Sequence, residues 1–209
     1  MVSEAKAGGK VSRGEYLNLP NWITIGRLIA VPVLIVIMLF MDDSDPAFEG
    51  VNRTLSFAVA ILFMLAMVSD MVDGYLARKK GLSSTFGKFI DPLADKMLFL
   101  VAMIMMVPLG RIPAWLVCIF LMREVAVTSL RGIAIDEGIV IDASQWGKYK
   151  SAFLSVTTVG LLLHYPFFGI HWRLMAWVVM VPSIVFSVGS GLHYAICFFK
   201  GLSGERAAA

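Results

Sequence analysis

The chain has 209 residues, 58% of them hydrophobic and only 16% charged, with a mean hydropathy of +0.79 and a net charge of +3. Soluble domains are roughly 45–50% apolar and about 25% charged, so an ordinary water-soluble globule and a disordered chain are both excluded. Six apolar stretches of about 20 residues, the length that crosses a bilayer core, use most of the chain and leave no room for a separate soluble domain.

In chain order, hydropathy predicts spans at Asn21–Met41, Leu55–Ala77, Gly87–Val107, Pro113–Ile133, Lys148–Tyr165 and Trp172–Phe199. The expected fold is an all-α integral membrane protein of six transmembrane helices. Residues 1–20 read as a cytoplasmic or interfacial segment, 21–199 as the six-helix domain and 200–209 as a flexible tail. Lysine and arginine gather in the N-terminal tail (Lys6, Lys10, Arg13) and around the second loop (Arg78, Lys79, Lys80, Lys88). They gather again around the fourth loop (Arg123, Arg131, Lys148, Lys150) and in the C-terminal tail (Lys200, Arg206). The alternate loops offer Arg53, Arg111 and Arg173, and the first of them, Asp42–Glu49, reads as an acidic, solvated loop. By the positive-inside rule both termini face the cytoplasm, as in a multi-pass protein of the inner, cytoplasmic membrane. Cys118 and Cys197 lie far apart in apolar runs, with neither metal nor disulfide spacing.

The densest chemistry lies between Ser69 and Lys96, SDMVDGYLARKKGLSSTFGKFIDPLADK. It ends one predicted span, turns, and begins the next. Helical periodicity puts Asp70, Asp73, Gly74 and Ala77 on one face of the first helix, and Gly87, Asp91 and Asp95 on one face of the second. Two antiparallel helices joined by a short loop can aim four carboxylates at one space. Such a cluster is strongly unfavourable unless neutralised, and a hard divalent cation with oxygen ligands, Mg²⁺ or Mn²⁺, neutralises it best. Gly74, Ala77 and Gly87 leave room for a large group, and Arg78 with Lys79, Lys80 and Lys88 supplies the charge that phosphates attract. The plain alternative is a helix pair held by salt bridges from Asp70 and Asp73 to Lys79 and Lys96. Membrane-embedded carboxylates are costly and functional by default, which favours a phosphoryl-transfer site.

The pattern Asp70-x2-Asp73-Gly74-x2-Ala77-Arg78-x8-Gly87-x3-Asp91-x3-Asp95 resembles the signature of the CDP-alcohol phosphatidyltransferases at all eight positions. The resemblance implies metal-dependent transfer of a phosphatidyl group from CDP-diacylglycerol to an alcohol, with release of CMP. It implies two Mg²⁺ or Mn²⁺ ions held by Asp70, Asp73, Asp91 and Asp95, with Asp95 also the general base on the acceptor hydroxyl. Gly74, Ala77, Arg78, Ser84 and Gly87 would meet the CDP-diacylglycerol head. The implied partners are these substrates, membrane lipids and a second copy of the chain in a homodimer, with no nucleic acid.

Asn18-Leu-Pro-Asn21-Trp-Ile-Thr24-Ile-Gly-Arg27 opens the first span and can be read as a helix start. It also resembles the opening of the family branch that makes phosphatidylglycerophosphate, which implies Asn21 and Thr24 near the nucleotide-lipid head. Arg123, Arg131 and Lys148 could form a cationic pocket for a phosphorylated acceptor, sn-glycerol 3-phosphate. Arg123 and Glu124, adjacent on a helix, are expected to point apart. REVAVTSLRG and WGKYKS resemble the matching stretches of the same branch. Within the family the alternative acceptors are inositol phosphate and serine. Outside it, a divalent-cation transporter could also hold intramembrane carboxylates, but its site would lie near the midplane on broken helices.

Overall fold

The apolar runs become helices because a chain inside a bilayer must satisfy its backbone hydrogen bonds internally. The computed structural model describes residues 19–80, 85–137 and 145–202, excepting within them the side chains of 19–24, 70–93, 95, 145, 146, 148 and 202. Six α-helices follow in order: α1 (Leu19–Leu39), α2 (Glu49–Lys80), α3 (Thr85–Met106), α4 (Ala114–Asp136), α5 (Gln145–Leu163) and α6 (Trp172–Leu202). A single 3₁₀ turn, Pro46–Phe48, leads into α2, capped by Asp45, whose carboxylate accepts from the Ala47 N–H. Two short strands, β1 (Pro166–Phe167) and β2 (Ile170–His171), pair antiparallel between α5 and α6. Phe168 and Gly169 both have positive φ there, the conformation that a two-residue hairpin needs.

Each predicted span falls on one helix. The largest difference is the start of α2, at Glu49 instead of Leu55, because Glu49, Asn52, Arg53 and Ser56 are helical although too polar for a hydropathy scan. At the other end, α5 stops at Leu163, which places His164 and Tyr165 in the connection to α6. α6 continues unbroken to Leu202 with Pro182 inside it.

α6 packs along α5, and α1 along α2 and α3. The core runs through Leu34, Val59, Phe63, Leu98, Met103, Leu116, Phe120 and Leu161, all nearly inaccessible. Gly160 permits the closest approach: a β-carbon there would lie 2.8 Å from the Ala176 β-carbon. Nearby, the hydroxyls of Thr157 and Ser183 share a buried hydrogen bond of 2.9 Å. The outside is as apolar as the core, with Ile29, Val36, Leu65, Met122, Val181 and Leu192 all more than half exposed. A large apolar exterior is a liability in water but the normal surface in lipid. Among the described residues, Pro46–Ser69 and Trp172–Gly201 are long and apolar enough to cross a membrane by themselves, and Ile25–Leu39, Lys96–Met106 and Tyr149–Leu163 are shorter apolar helical stretches.

Candidate active site

The backbone places Asp70 and Asp73 near the end of α2, and Asp91 and Asp95 in the first half of α3. Gly74, Ala77 and Arg78 follow on α2, Gly87 lies on α3, and Asn21 and Thr24 lie in the first turns of α1. The side chains at these positions lie outside the described residues, and so does Ser84 altogether. The helical spacing that sets each pair of carboxylates one turn apart is present. Only residues 81–84 separate the two helices, and α2 and α3 are in contact.

A cavity of about 600 Å³ adjoins this segment. It begins at Met67, one turn before Asp70, and at Lys96, the residue after Asp95. Phe99, Met103, Phe120 and Leu154 form its apolar wall, while Lys96, Glu124, Lys150, Ser151 and Ser155 form its polar side. The Ser151 and Ser155 hydroxyls donate to the carbonyls of Gly147 and Ser151, one turn back on α5. Lys96 reaches from α3 to α4, with Nζ donating to Thr128 Oγ1 at 2.6 Å. Lys150 Nζ makes an ion pair with Glu124 Oε1.

The cations nominated by sequence for the acceptor phosphate have different positions. Arg123 points at α6: Nε donates to the Ser187 carbonyl at 3.2 Å and Nη2 to Ser190 Oγ at 2.7 Å. Its Nη1 also donates to Glu124 Oε1 at 2.9 Å. The expectation that Arg123 and Glu124 point apart is therefore corrected, because an arginine stem is long enough to bend back to its neighbour. Arg131 is exposed and lies over the Tyr194 ring, 5.7 Å from its centre. Lys148 lies in the first turn of α5, its side chain outside the described residues. Among the described residues, it is Lys96, Glu124 and Lys150 that line the cavity, and not Arg123 or Arg131. Sequence reasoning passed over Lys150 as a flank of the span. Its signal was there: an ionisable side chain inside a membrane span needs a partner or a ligand.

The opposite end of the bundle also holds buried charge. Arg111, only 2% exposed, donates to both oxygens of Asp43, at 2.6 and 3.1 Å. It also donates to Ser56 Oγ at 2.8 Å and to the Leu162 carbonyl at 2.8 Å. Tyr165 adds its hydroxyl to Asp43 at 3.0 Å. Burial alone would raise the Asp43 pKa, but the Arg111 and Tyr165 hydrogen bonds and the Arg111 charge hold it below the usual carboxylate value. The acidic loop is thus not simply solvated: Asp43 ties it to Arg111 and Tyr165, Arg111 extends the network to Ser56 of α2 and Leu162 of α5, and Asn52 of α2 bonds the Asp42 backbone.

Residues 17–189 match the CDP-alcohol phosphatidyltransferase family, and the chain belongs to that family. It is a membrane protein of a class that depends on divalent metal. The chain is similar to a CDP-diacylglycerol–glycerol-3-phosphate 3-phosphatidyltransferase of Bacillus subtilis, at 39% identity covering 85% of this chain and 93% of the relative. It is 34% identical to a probable phosphatidylglycerophosphate synthase of Mycobacterium tuberculosis, over 98% of this chain and 92% of the relative. A CDP-diacylglycerol–glycerol-3-phosphate 3-phosphatidyltransferase of Rickettsia typhi is 35% identical over 70% of this chain and 76% of its own length.

Proposed function

We propose that the chain transfers a phosphatidyl group from CDP-diacylglycerol to sn-glycerol 3-phosphate, giving phosphatidylglycerophosphate and CMP. The observation that carries this reading is the complete eight-position motif on two consecutive helices, beside a cavity with cations on one wall and apolar groups on the other. The acceptor follows the relatives, two of which carry glycerol 3-phosphate in their names.

The donor set suits the metal. Four hard carboxylates, paired one turn apart on neighbouring helices, fit Mg²⁺ or Mn²⁺ and not a soft ion. We assign Asp70, Asp73, Asp91 and Asp95 to two such ions. When bound, the ions neutralise the diphosphate and the charge that develops on the departing CMP. Asp95 removes the proton from the glycerol hydroxyl as that oxygen attacks the phosphorus bearing diacylglycerol. A new P–O bond forms, the P–O bond to CMP breaks, and the proton remains on Asp95. Asn21, Thr24, Gly74, Ala77, Arg78, Ser84 and Gly87 are assigned to the CDP-diacylglycerol head, the small residues by giving it room. Arg131 and Lys148 are assigned to the acceptor phosphate. Arg123 is assigned instead to fixing α4 on α6, since its guanidinium already serves Ser187 and Ser190.

In this reading all six helices cross the inner membrane, with both termini and the carboxylates on the cytoplasmic side, and the chain works as a homodimer. The charge asymmetry of the loops supports the orientation. The test is CMP release from CDP-diacylglycerol by the purified chain, with glycerol 3-phosphate, inositol phosphate or serine, and with or without Mg²⁺ or Mn²⁺. Turnover with glycerol 3-phosphate only, lost on removing the metal, is the expected result. Turnover with serine or inositol phosphate but not glycerol 3-phosphate would remove the acceptor assignment and leave the family chemistry.

A further inference from the structure

Lys150 lies one turn inside α5 and is only 8% exposed, yet its ammonium stands on the wall of the cavity. A buried ammonium needs a partner, and a lysine stem, left alone, samples many rotamers. Glu124 of α4 meets both needs through its ion pair with Lys150. The same carboxylate oxygen accepts from Arg123 Nη1 at 2.9 Å. Arg123 is in turn held by the Ser187 carbonyl and Ser190 Oγ of α6. A continuous series of contacts therefore runs from α6 through Arg123 and Glu124 to Lys150.

Glu124 is tied to the third cation as well. Its backbone carbonyl accepts from Thr128 Oγ1 at 2.7 Å, and Thr128 Oγ1 accepts from Lys96 Nζ at 2.6 Å. Arg123 and Lys150 share the Glu124 carboxylate, and Lys96 and Lys150 stand on the same cavity wall as the charges a phosphate would meet. Prior ordering of Lys150 lowers what an incoming ligand must immobilise.

We infer that Glu124 is a positioning residue for the acceptor: it holds the Lys150 ammonium at the cavity wall, where the phosphate of the acceptor alcohol binds. The inference rests on the transfer to glycerol 3-phosphate proposed above, and adds Lys150 to the cations that recognise it.

The experiment measures steady-state CMP release against each substrate for wild type, Glu124→Gln, Lys150→Gln and the double variant, in one detergent with saturating Mg²⁺. Thermal midpoints of the same preparations report on folding. Lys150→Gln is expected to raise the KM for glycerol 3-phosphate about ten- to a hundredfold, the size of a lost charge-assisted contact. Glu124→Gln should raise it less, about three- to tenfold, because the ammonium remains but is no longer held. The KM for CDP-diacylglycerol and kcat at saturation should stay near wild type in both. If Glu124 acts through Lys150, the double variant matches Lys150→Gln alone. Lys150→Arg, which keeps the charge and reaches Glu124, should recover most of the acceptor affinity.

A folded Glu124→Gln protein with unchanged acceptor KM would overturn the inference. Additive effects in the double variant would do the same, and so would equal weakening toward both substrates. Wild type that ignores glycerol 3-phosphate would overturn this inference together with the acceptor reading. A wild type that uses it, combined with any of the other outcomes, overturns the inference alone.

Discussion

The two ends of the helix bundle use buried charge in opposite ways. At the Arg111 end, one buried guanidinium makes four hydrogen bonds to three elements. At the carboxylate end, Lys96, Glu124 and Lys150 border about 600 Å³ of open space. Ser56 and Asp70 are 14 positions apart on α2, roughly 21 Å at the helical rise. The first arrangement uses its hydrogen bonds to hold helix ends together; the second sets charged groups on a cavity wall. Substitutions at one end should therefore show in stability, and at the other in turnover.

The largest effect is expected from the carboxylates. If the proposed metal assignment holds, Asp70→Asn, Asp73→Asn and Asp91→Asn should each lower CMP release by about a thousandfold or more, since each then removes charge from a metal ligand with little change of volume. Thermal midpoints without metal should barely move. Chelation of the metal should abolish wild-type turnover reversibly. Asp95→Asn should lower kcat by about 10²–10⁴, the range for a general base, while CDP-diacylglycerol still binds. Loss of that binding equal to the loss in Asp70→Asn would leave Asp95 as a ligand only.

The complementary break is Arg111→Gln. Removing one partner of a buried ion pair costs about 3–5 kcal/mol, and here it leaves Asp43, Ser56 and the Leu162 carbonyl without their donor. Denaturation in detergent should show a much lower midpoint. Protein that remains folded at low temperature should retain both KM values. A normal midpoint with a raised KM would erase the distinction between the two ends.

Arg123→Gln probes the one residue that shares both characters. It sits beside the cavity cluster but is bonded to α6 as Arg111 is to its neighbours. A loss of about 1–3 kcal/mol in stability is expected from its charged hydrogen bonds. A smaller rise in the KM for glycerol 3-phosphate should accompany it, transmitted through Glu124. Loss of acceptor affinity as large as in Lys150→Gln, without loss of stability, would return Arg123 to the acceptor site.

The difference between the ends also explains what could be read from sequence. Six helices were legible because long apolar runs in one chain have a single stable solution in lipid. The carboxylate motif was legible because its members lie within 26 positions, at spacings of three and four that helices turn into faces. The Arg111 network was not. Its contacts join positions 68, 55 and 51 residues apart, and no local pattern separates an arginine in a loop from one buried under it. Arg123 misled for a related reason. Its place in an apolar span announced a buried charge, but whether it faced the cavity or α6 depended on packing against Gly191, where a β-carbon would sit 3.2 Å from Arg123 Cγ.

The smallest expected effect concerns His164, which adjoins the Arg111 network outside the helices. Burial first, and the Arg111 charge second, push its pKa down from 6.5 to about 4. Its Nδ1 is buried with no hydrogen-bond partner among the described residues. In the folded protein the imidazole therefore stays neutral down to about pH 4, whereas in the unfolded chain it takes a proton near 6.5. Between these values the unfolded state binds more protons, so stability falls as pH drops from about 6.5 to about 4, and falls no further from this cause below that. Partial exposure and screening keep the change to about 1 kcal/mol. Asp43 contributes in a separate window, at and below the ordinary aspartate value of 3.8, where its protonation weakens the Arg111 pair. His164→Asn isolates the first window, because asparagine accepts the positive φ of 53° found at this position and carries no titrating group. Thermal midpoints recorded from pH 7 to pH 4.5 should decline in wild type and stay nearly level in the variant. Parallel declines in both would place the acid sensitivity elsewhere and make His164 a spectator of the Arg111 end.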